Sequence, residues 1–110
     1  MGEITQFVEL YIEDSDILPK RTYEIARTLQ NQIKKEAPYD QGRLKRSIRV
    51  DTRITDKYSI ITGYWDEGIA PHGKFVLSGH RHPKKDGSFT LVPPNDFLGR
   101  GLLNTIALYG

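Results

Sequence analysis

The first segment of the chain alternates between apolar and polar positions. Val8, Leu10 and Ile12 fall on one side of the pattern. Glu9 falls on the other side, as expected for a strand with one buried face. We therefore predict a β-strand within residues 1–13, with a short amphipathic helix as the alternative.

The longest periodic segment predicts a helix over residues 17–37. Its stripe residues recur at steps of three and four and are Leu18, Thr22, Ile25, Ala26, Leu29, Ile33 and Ala37. Pro19 suits the first turn of a helix, because its missing N–H would have no intrahelical partner there. Pro38 disfavours helical geometry at the residue before it and so ends the helix.

Two β-rich segments joined by a short polar connection predict a β-hairpin over residues 47–65. In the first segment apolar residues and threonine alternate with charged residues, and in the second Gly63 is interpreted as a bulge. Residues 75–77 form too short an apolar segment to distinguish a helical turn from a strand. A basic turn precedes the hairpin, between Pro38 and Ser47.

The last third of the chain predicts a polar loop and a helix. Residues 79–88 are interpreted as a surface loop with a tight turn at Asp86-Gly87, followed by a short returning strand at 89–92. Asn95 or Asp96 is expected to cap a C-terminal helix over residues 96–109. Apolar residues on adjoining steps of this helix are Leu98, Leu102, Leu103 and Ile106.

Together these elements predict an α+β fold in a single small domain, residues 1–110. An antiparallel sheet of three to five strands packs against one long helix and a C-terminal helix. The length of 110 residues suits one hydrophobic core.

The overall charge points to no chain-wide nucleic-acid site. Sixteen Lys and Arg are nearly balanced by 14 Asp and Glu, which leaves a formal charge of +2, so any basic site is local. The absence of cysteine excludes disulfides and thiolate zinc sites. No signal peptide or continuous apolar span is recognisable, which leads us to expect a soluble intracellular product.

The basic turn carries Arg43, Lys45 and Arg46, and its residues allow three interpretations. A phosphate-binding P-loop is disfavoured, because such a loop has several glycines and runs from a strand into a helix. A nucleic-acid site is the second interpretation, since the three cations lie within four residues and Arg49 follows along the next strand.

The third interpretation of this turn is architectural. Gly42 is expected to supply a backbone conformation that other residues resist, and Asp40 to accept local backbone hydrogen bonds. Leu44 and Ile48 are expected to hold the turn on the core.

The histidines raise the question of a metal site. His80 and His82 flank Arg81 and would project to one side of an extended segment, with His72 or Asp66 as further ligands. An exposed loop is the favoured interpretation, because Lys84, Lys85 and Arg81 place positive charge beside any cation. No nucleophile with a recognisable base or pair of converging carboxylates is apparent, so no catalytic residue, metal or cofactor is assigned.

Two aromatic residues have alternative roles. Trp65 and Phe75 are expected to pack in the core, with an oligomer interface as the alternative, because aromatic side chains are enriched at interfaces.

Three landmarks occur in order along the chain. The first is a proline, an acidic residue and a glycine before a basic-apolar pair that leads into Ser-Ile, and its residues are Pro38, Asp40, Gly42, Arg43, Leu44, Ser47 and Ile48. The second consists of Ala70, Pro71, Phe75, Val76 and Gly79, and the third of Pro94, Phe97 and Leu98. From about Ile17 onward, the chain thus resembles the tail-completion or neck proteins of tailed bacteriophages, also described as head-tail joining proteins or minor tail components.

This resemblance implies a structural, non-enzymatic virion protein of a tailed virus or prophage. Such a protein is expected to form a homo-oligomeric ring, sixfold to match a tail tube, at the head-tail joint or the top of the tail. The implied partners are tail-tube, terminator and connector proteins, without a membrane. The implied location is the virion, and the host cytoplasm during assembly.

The resemblance also suggests which residues meet a neighbour or line a channel for DNA. These residues are Arg43, Lys45, Arg46, Trp65, Phe75, His80, Arg81, His82, Lys84 and Lys85. The basic ones would pair with an adjoining subunit or face passing DNA without reading its sequence. The alternative function is a small nucleic-acid-binding module that uses the basic turn 43–49.

Overall fold

The computed structural model describes residues 6–13, 19–38, 42–83 and 85–109. The elements are β1 (Val8–Ile12), α1 (Pro19–Glu36), α2 (Gly42–Ser47), β2 (Ile48–Ile54), β3 (Ser59–Trp65), α3 (Gly73–Ser78), β4 (His80–Pro83), β5 (Phe89–Val92) and α4 (Phe97–Tyr109). The predicted α+β class is confirmed: a three-stranded antiparallel sheet, a long helix and a C-terminal helix form a single small domain.

The main sheet has the strand order β1-β3-β2, with every neighbouring pair antiparallel. Gly63 lies opposite Val8 of β1 and Val50 of β2, and the register runs through this position without interruption. The predicted bulge at Gly63 is therefore absent. The glycine makes room for α1 instead, because a Cβ at Gly63 would lie only 2.7 Å from Cδ1 of Ile33.

Helices α1 and α4 form a second layer on one face of the sheet. Ile33 is fully buried at the point where the layers meet, between Gly63 of β3 and Gly101 of α4. A Cβ at Gly101 would approach the backbone of Ile33 to 2.7 Å. The two glycines thus set how closely α1 approaches both neighbours. The buried apolar core consists of Ile25, Ala26, Leu29, Ile33, Ala37, Leu44, Ile48, Ile61, Trp65, Ala70, Val76, Phe97 and Leu98.

Helix α1 follows the periodic pattern from Pro19 to Glu36. The N–H of Ala37 still donates to the carbonyl of Ile33 at 3.0 Å, so the last turn closes just before Pro38. The part of the predicted helix before Pro19, and the first residues of the predicted N-terminal strand segment, lie outside the described residues.

Helix α4 begins at the predicted cap. Asp96 Oδ1 accepts a hydrogen bond from the N–H of Gly99 at 2.9 Å, which satisfies one of the unpaired donors of the first turn.

The basic turn contains a short helix that was not predicted. Gly42–Ser47 forms α2, so β2 begins at Ile48 and not at Ser47. Gly42 has no positive φ angle, so its expected special backbone conformation is not observed; in the described residues only Gly79 and Gly87 have one. The helix forms because Leu44 and Ser47, three residues apart, share a buried face, and the lysine and arginine between them favour helix.

The predicted polar loop 79–88 is in part a strand. His80–Pro83 pairs antiparallel with Phe89–Val92, and the two strands form a separate two-stranded ribbon (residues 80–92). The expected tight turn is present: Gly87 has φ 89°, and Asp86 Oδ1 accepts the N–H of Ser88 at 2.9 Å. A polar segment becomes a strand here because the returning strand 89–92 needs a partner for its backbone groups.

The molecule is longer than a compact domain of its size. Its principal extents are 60 × 31 × 18 Å, and its radius of gyration is 16.1 Å, against about 13 Å for a compact domain of this length. None of the helices in the described part of the chain is long and apolar enough to cross a membrane.

Residues 75–77, for which the sequence allows a helical turn or a strand, belong to helix α3. The ribbon follows directly after it.

Candidate functional site

Three residues of the first landmark are fully buried. Leu44, Ser47 and Ile48 each have 0% exposure, and the Ser47 hydroxyl donates to the Leu44 carbonyl at 2.6 Å. They fasten α2 to the core and direct the chain into β2, as the architectural interpretation expects. Pro38 follows the end of α1 and is half-buried. The predicted role of Asp40 lies outside the described residues.

The exposed basic surface of this turn is narrower than the sequence suggests. Arg43 and Arg46 are exposed and lie three residues apart, on one side of α2. Arg49 is half-buried, and its Nη1 donates to the carbonyls of Arg46 at 2.6 Å and Ile48 at 3.1 Å. It therefore closes the C-terminal end of α2, where carbonyls lack helical partners. Lys45 is half-buried.

Trp65 lies in the core and not on an interface. It is 4% exposed, and its ring centroid lies 5.7 Å from that of Phe97. Gly73 accommodates it, since a Cβ there would lie 2.5 Å from the indole Nε1. Phe75 is 50% exposed on α3, so it stays a candidate for an interface.

The residues considered for a metal site lie in different parts of the fold. His72 lies just before α3, where its carbonyl accepts the N–H groups of Phe75 and Val76. Asp66 uses Oδ1 to accept the N–H of Gly68 at 2.9 Å. His80 and His82 alternate along β4. Within the described ranges, no three His, Asp or Glu residues are grouped so that they could hold a metal ion.

The outward side of α4 forms an exposed apolar patch that the sequence pattern did not separate from the other apolar residues of the helix. We define the α4 patch as Leu103, Ile106 and Ala107, which lie on one stripe of the helix and are all exposed. Leu103 is 66% and Ile106 44% exposed. The sequence indicates that α4 has an apolar outer face, because this helix contains one charged residue, Arg100, and is apolar on nearly all sides. Such a helix is usually covered on both faces.

The core side of α4 is the opposite stripe. It consists of Phe97, Leu98, Gly101 and Thr105, which face α1 and the sheet. The pattern alone did not determine which apolar stripe faces inward, because both stripes carry leucines. Gly101 determines which stripe faces inward, since only a glycine permits the close approach of α4 to Ile33.

The face of the sheet away from the helices carries aromatic and charged residues. Tyr11 of β1 stacks on Tyr58 of the β2-β3 connection, with ring centroids 5.4 Å apart. Burial first, and then a hydrogen bond to Asp51 and the negative charge of that carboxylate, raise the pKa of the Tyr64 phenol above its ordinary value.

Comparison with known proteins gives no indication of function, so the function is inferred from the residues of this chain. No protein-family model matches the chain, and neither a curated protein nor a solved structure matches it.

Proposed function

We propose that the protein is a structural component of the virion of a tailed virus or prophage. It would form a ring at the head-tail joint or the top of the tail, as a tail-completion or connector protein. The order of the three landmarks supports this function, and so does the position of the first landmark at the corner between the long helix and the sheet.

The observation that carries the proposal is the amount of surface suited to protein contacts on so small a domain. The α4 patch is apolar and exposed, the ribbon is separate from the main sheet, and the longest extent of the molecule is 60 Å. An apolar helix face in water is unfavourable at about 25 cal/mol per Å² and is stabilised by a partner that covers it. Contacts between two different surfaces of identical subunits close into a ring when the rotation closes.

The partners proposed for this ring are copies of the chain itself, a tail-tube or terminator protein and a connector protein. Arg43 and Arg46 would meet an adjoining subunit or the phosphates of passing DNA. The role is non-enzymatic and requires no cofactor. The proposed location is the virion, with assembly in the host cytoplasm.

Light scattering and negative-stain electron microscopy test the proposal. The chain is measured alone and with the tail-tube protein encoded beside it, and a ring of defined mass is expected in at least one sample. Leu103→Lys with Ile106→Lys is expected to abolish the ring without unfolding the monomer, because both side chains are exposed. The control is Tyr23→Lys, an exposed aromatic residue on α1. A chain that stays monomeric in both samples would contradict the proposal.

A nucleic-acid-binding module is the second candidate, favoured by the exposure of Arg43 and Arg46 on one side of α2. It predicts DNA binding by the monomer that weakens with salt. Arg43→Ala with Arg46→Ala would lower the slope of log K against log salt concentration by about 1.8, because two phosphate contacts are lost. DNA binding of this kind by a chain that never assembles would favour the second candidate over the first.

A further inference from the structure

The three-stranded sheet has two open edges of opposite charge. Among the described residues, β1 and β2 each pair only with β3. Glu9 in β1 and Glu13 just after it are both exposed, and the sequence contains no Lys or Arg before Lys20. Strand β2 carries Arg49 and Arg53 on either side of Asp51. Both edges present unpaired backbone groups to a further strand, but only the β1 edge is acidic.

The beginning of the β2 edge is also occupied by side chains of the same chain. The carbonyl of Ile48 accepts hydrogen bonds from Gln30 Nε2 at 3.0 Å and from Arg49 Nη1 at 3.1 Å. An added strand would have to displace these groups, so the β1 edge is the more accessible of the two.

The ribbon has the complementary properties. It is two strands wide and separate from the main sheet, and an isolated two-stranded hairpin is at best marginally stable in water. Strand β4 includes Arg81, Lys85 lies in the turn that follows, and no acidic residue occurs between Gly79 and Lys85. Strand β4 has four residues and β1 has five, so their lengths match. The ribbon therefore suits a partner strand that is acidic and has an open edge.

We propose that the ribbon of one copy adds β4 to the β1 edge of a second copy and extends its sheet across the subunit boundary. Main-chain hydrogen bonds would hold the added strand, and the acidic β1 edge would select it over the basic β2 edge. Each copy has one ribbon and one β1 edge, so the contact joins different surfaces and propagates from copy to copy. The inference rests on the self-assembly in the proposed function and names a contact that acts in it beside the α4 patch.

Disulfide cross-linking between two labelled forms of the full chain tests this pairing, because the sequence contains no cysteine. A chain with Tyr11→Cys, an exposed position of β1, carries a mass tag, and it is mixed with an untagged chain that carries His82→Cys. Oxidation is expected to give the mixed dimer. The matched control replaces Tyr11→Cys by Arg53→Cys, which is exposed on β2. That control should give at least about fivefold less mixed dimer. Equal yields at the two edges, or none at β1, would overturn the inference.

Charge exchange provides the second measurement. Glu9→Lys with Glu13→Lys in the β1 chain, or Arg81→Glu with Lys85→Glu in the ribbon chain, should each lower the yield about fivefold, since two attractive pairs become repulsive. Combining the two changes should restore the yield of mixed dimer to within about twofold of the yield without charge exchange. If the combination does not restore the yield, charge does not select the edge. Circular dichroism of each variant confirms that the fold is retained.

The same samples distinguish this inference from the proposed function. If light scattering shows the ring but the β1 edge gives no cross-link, the pairing is wrong and the ring is built through another contact. If there is neither a cross-link nor an oligomer, with or without the tail-tube protein, both are wrong.

Discussion

Gly101 and Gly42 both lie in helices, and the structure predicts opposite effects for the same substitution at the two positions. At Gly101 a Cβ would lie 2.7 Å from the backbone of Ile33, which cannot move without separating α1 from α4. Gly101→Ala should therefore lower the free energy of unfolding by about 2–3 kcal/mol. At Gly42 the nearest atom is Arg46 Nη1 at 3.6 Å, an ordinary contact. Gly42→Ala should raise the free energy of unfolding by about 0.5 kcal/mol.

Urea denaturation of the two glycine variants and the parent chain measures both effects. A loss of stability for Gly42→Ala would show that the position needs glycine after all, as the sequence suggested. An unchanged Gly101→Ala would contradict the close packing of the two helices.

The turn of the ribbon contains a carboxylate whose charged form is stabilised. The hydroxyl of Ser88, and then its N–H, donate to Asp86 and lower the pKa of that carboxyl below its ordinary value. Because the folded-state pKa is lowered, the stabilisation of the turn is present above the unfolded-state pKa and is lost as the pH falls through the folded one.

Carboxyl-carbon NMR of Asp86 in an acid titration checks this. Ser88→Ala should raise its midpoint towards the ordinary value, but only in part, because the N–H of residue 88 remains. Ser88→Thr keeps a hydroxyl and should retain the low midpoint. Equal midpoints in Ser88→Ala and the parent chain would show that the hydroxyl has no effect.

At the scale of elements, the C-terminal end of α2 depends on one arginine. Arg49 donates to two carbonyls there and is half-buried. Arg49→Ala should lower the free energy of unfolding by about 1–2 kcal/mol, since the Arg46 carbonyl loses a charged donor, while the Ile48 carbonyl keeps Gln30 Nε2. Arg53 is exposed four residues further along the same strand, and Arg53→Ala should change stability by less than about 0.5 kcal/mol. Thermal unfolding of both variants gives the comparison, and similar losses would mean that Arg49 does not close the helix.

The elements that the sequence predicted are those whose pattern is local. Helix α1 has a regular apolar stripe and prolines at both ends, and the hairpin strands β2 and β3 have β-rich composition. Strand β4 was missed because its residues are polar, and its conformation depends on pairing with β5. Helix α2 was missed because one glycine and one proline suggested a turn, whereas burial of Leu44 and Ser47 favours a helical spacing.

For the whole molecule, surface and core could not be assigned from residue type. Trp65 was a candidate for an interface and is buried, whereas Leu103 and Ile106, which the helical pattern grouped with Leu98, are exposed. Residues of similar hydrophobicity occur in the core and on the surface. On α4, which apolar stripe is buried depends on which side of the helix can approach Ile33. The acidic β1 edge emerged only from the strand order, because the sequence does not show which strands lie at the edges.

The extended shape of the molecule also predicts that the body folds without the ribbon. The ribbon begins and ends at His80 and Val92, which lie opposite each other. Below it, the Asn95 N–H donates to the Val76 carbonyl at 3.0 Å and ties the two chain ends together. Replacing residues 81–91 by Asn-Gly, a dipeptide that favours a two-residue hairpin turn, should therefore leave the core intact.

Circular dichroism and small-angle X-ray scattering measure the result of this replacement. The cooperative thermal transition should remain, because the core cluster among the side chains that the structure describes is formed by residues between Ile25 and Val76 together with Phe97 and Leu98. The radius of gyration should fall from the 16.1 Å of the full chain towards about 13 Å, the value for a compact domain. The control is an insertion of two glycines next to Gly87, which lengthens the turn and keeps the ribbon. Loss of the transition on replacement alone would mean that the ribbon is part of the folding unit and not an arm available to a neighbouring copy.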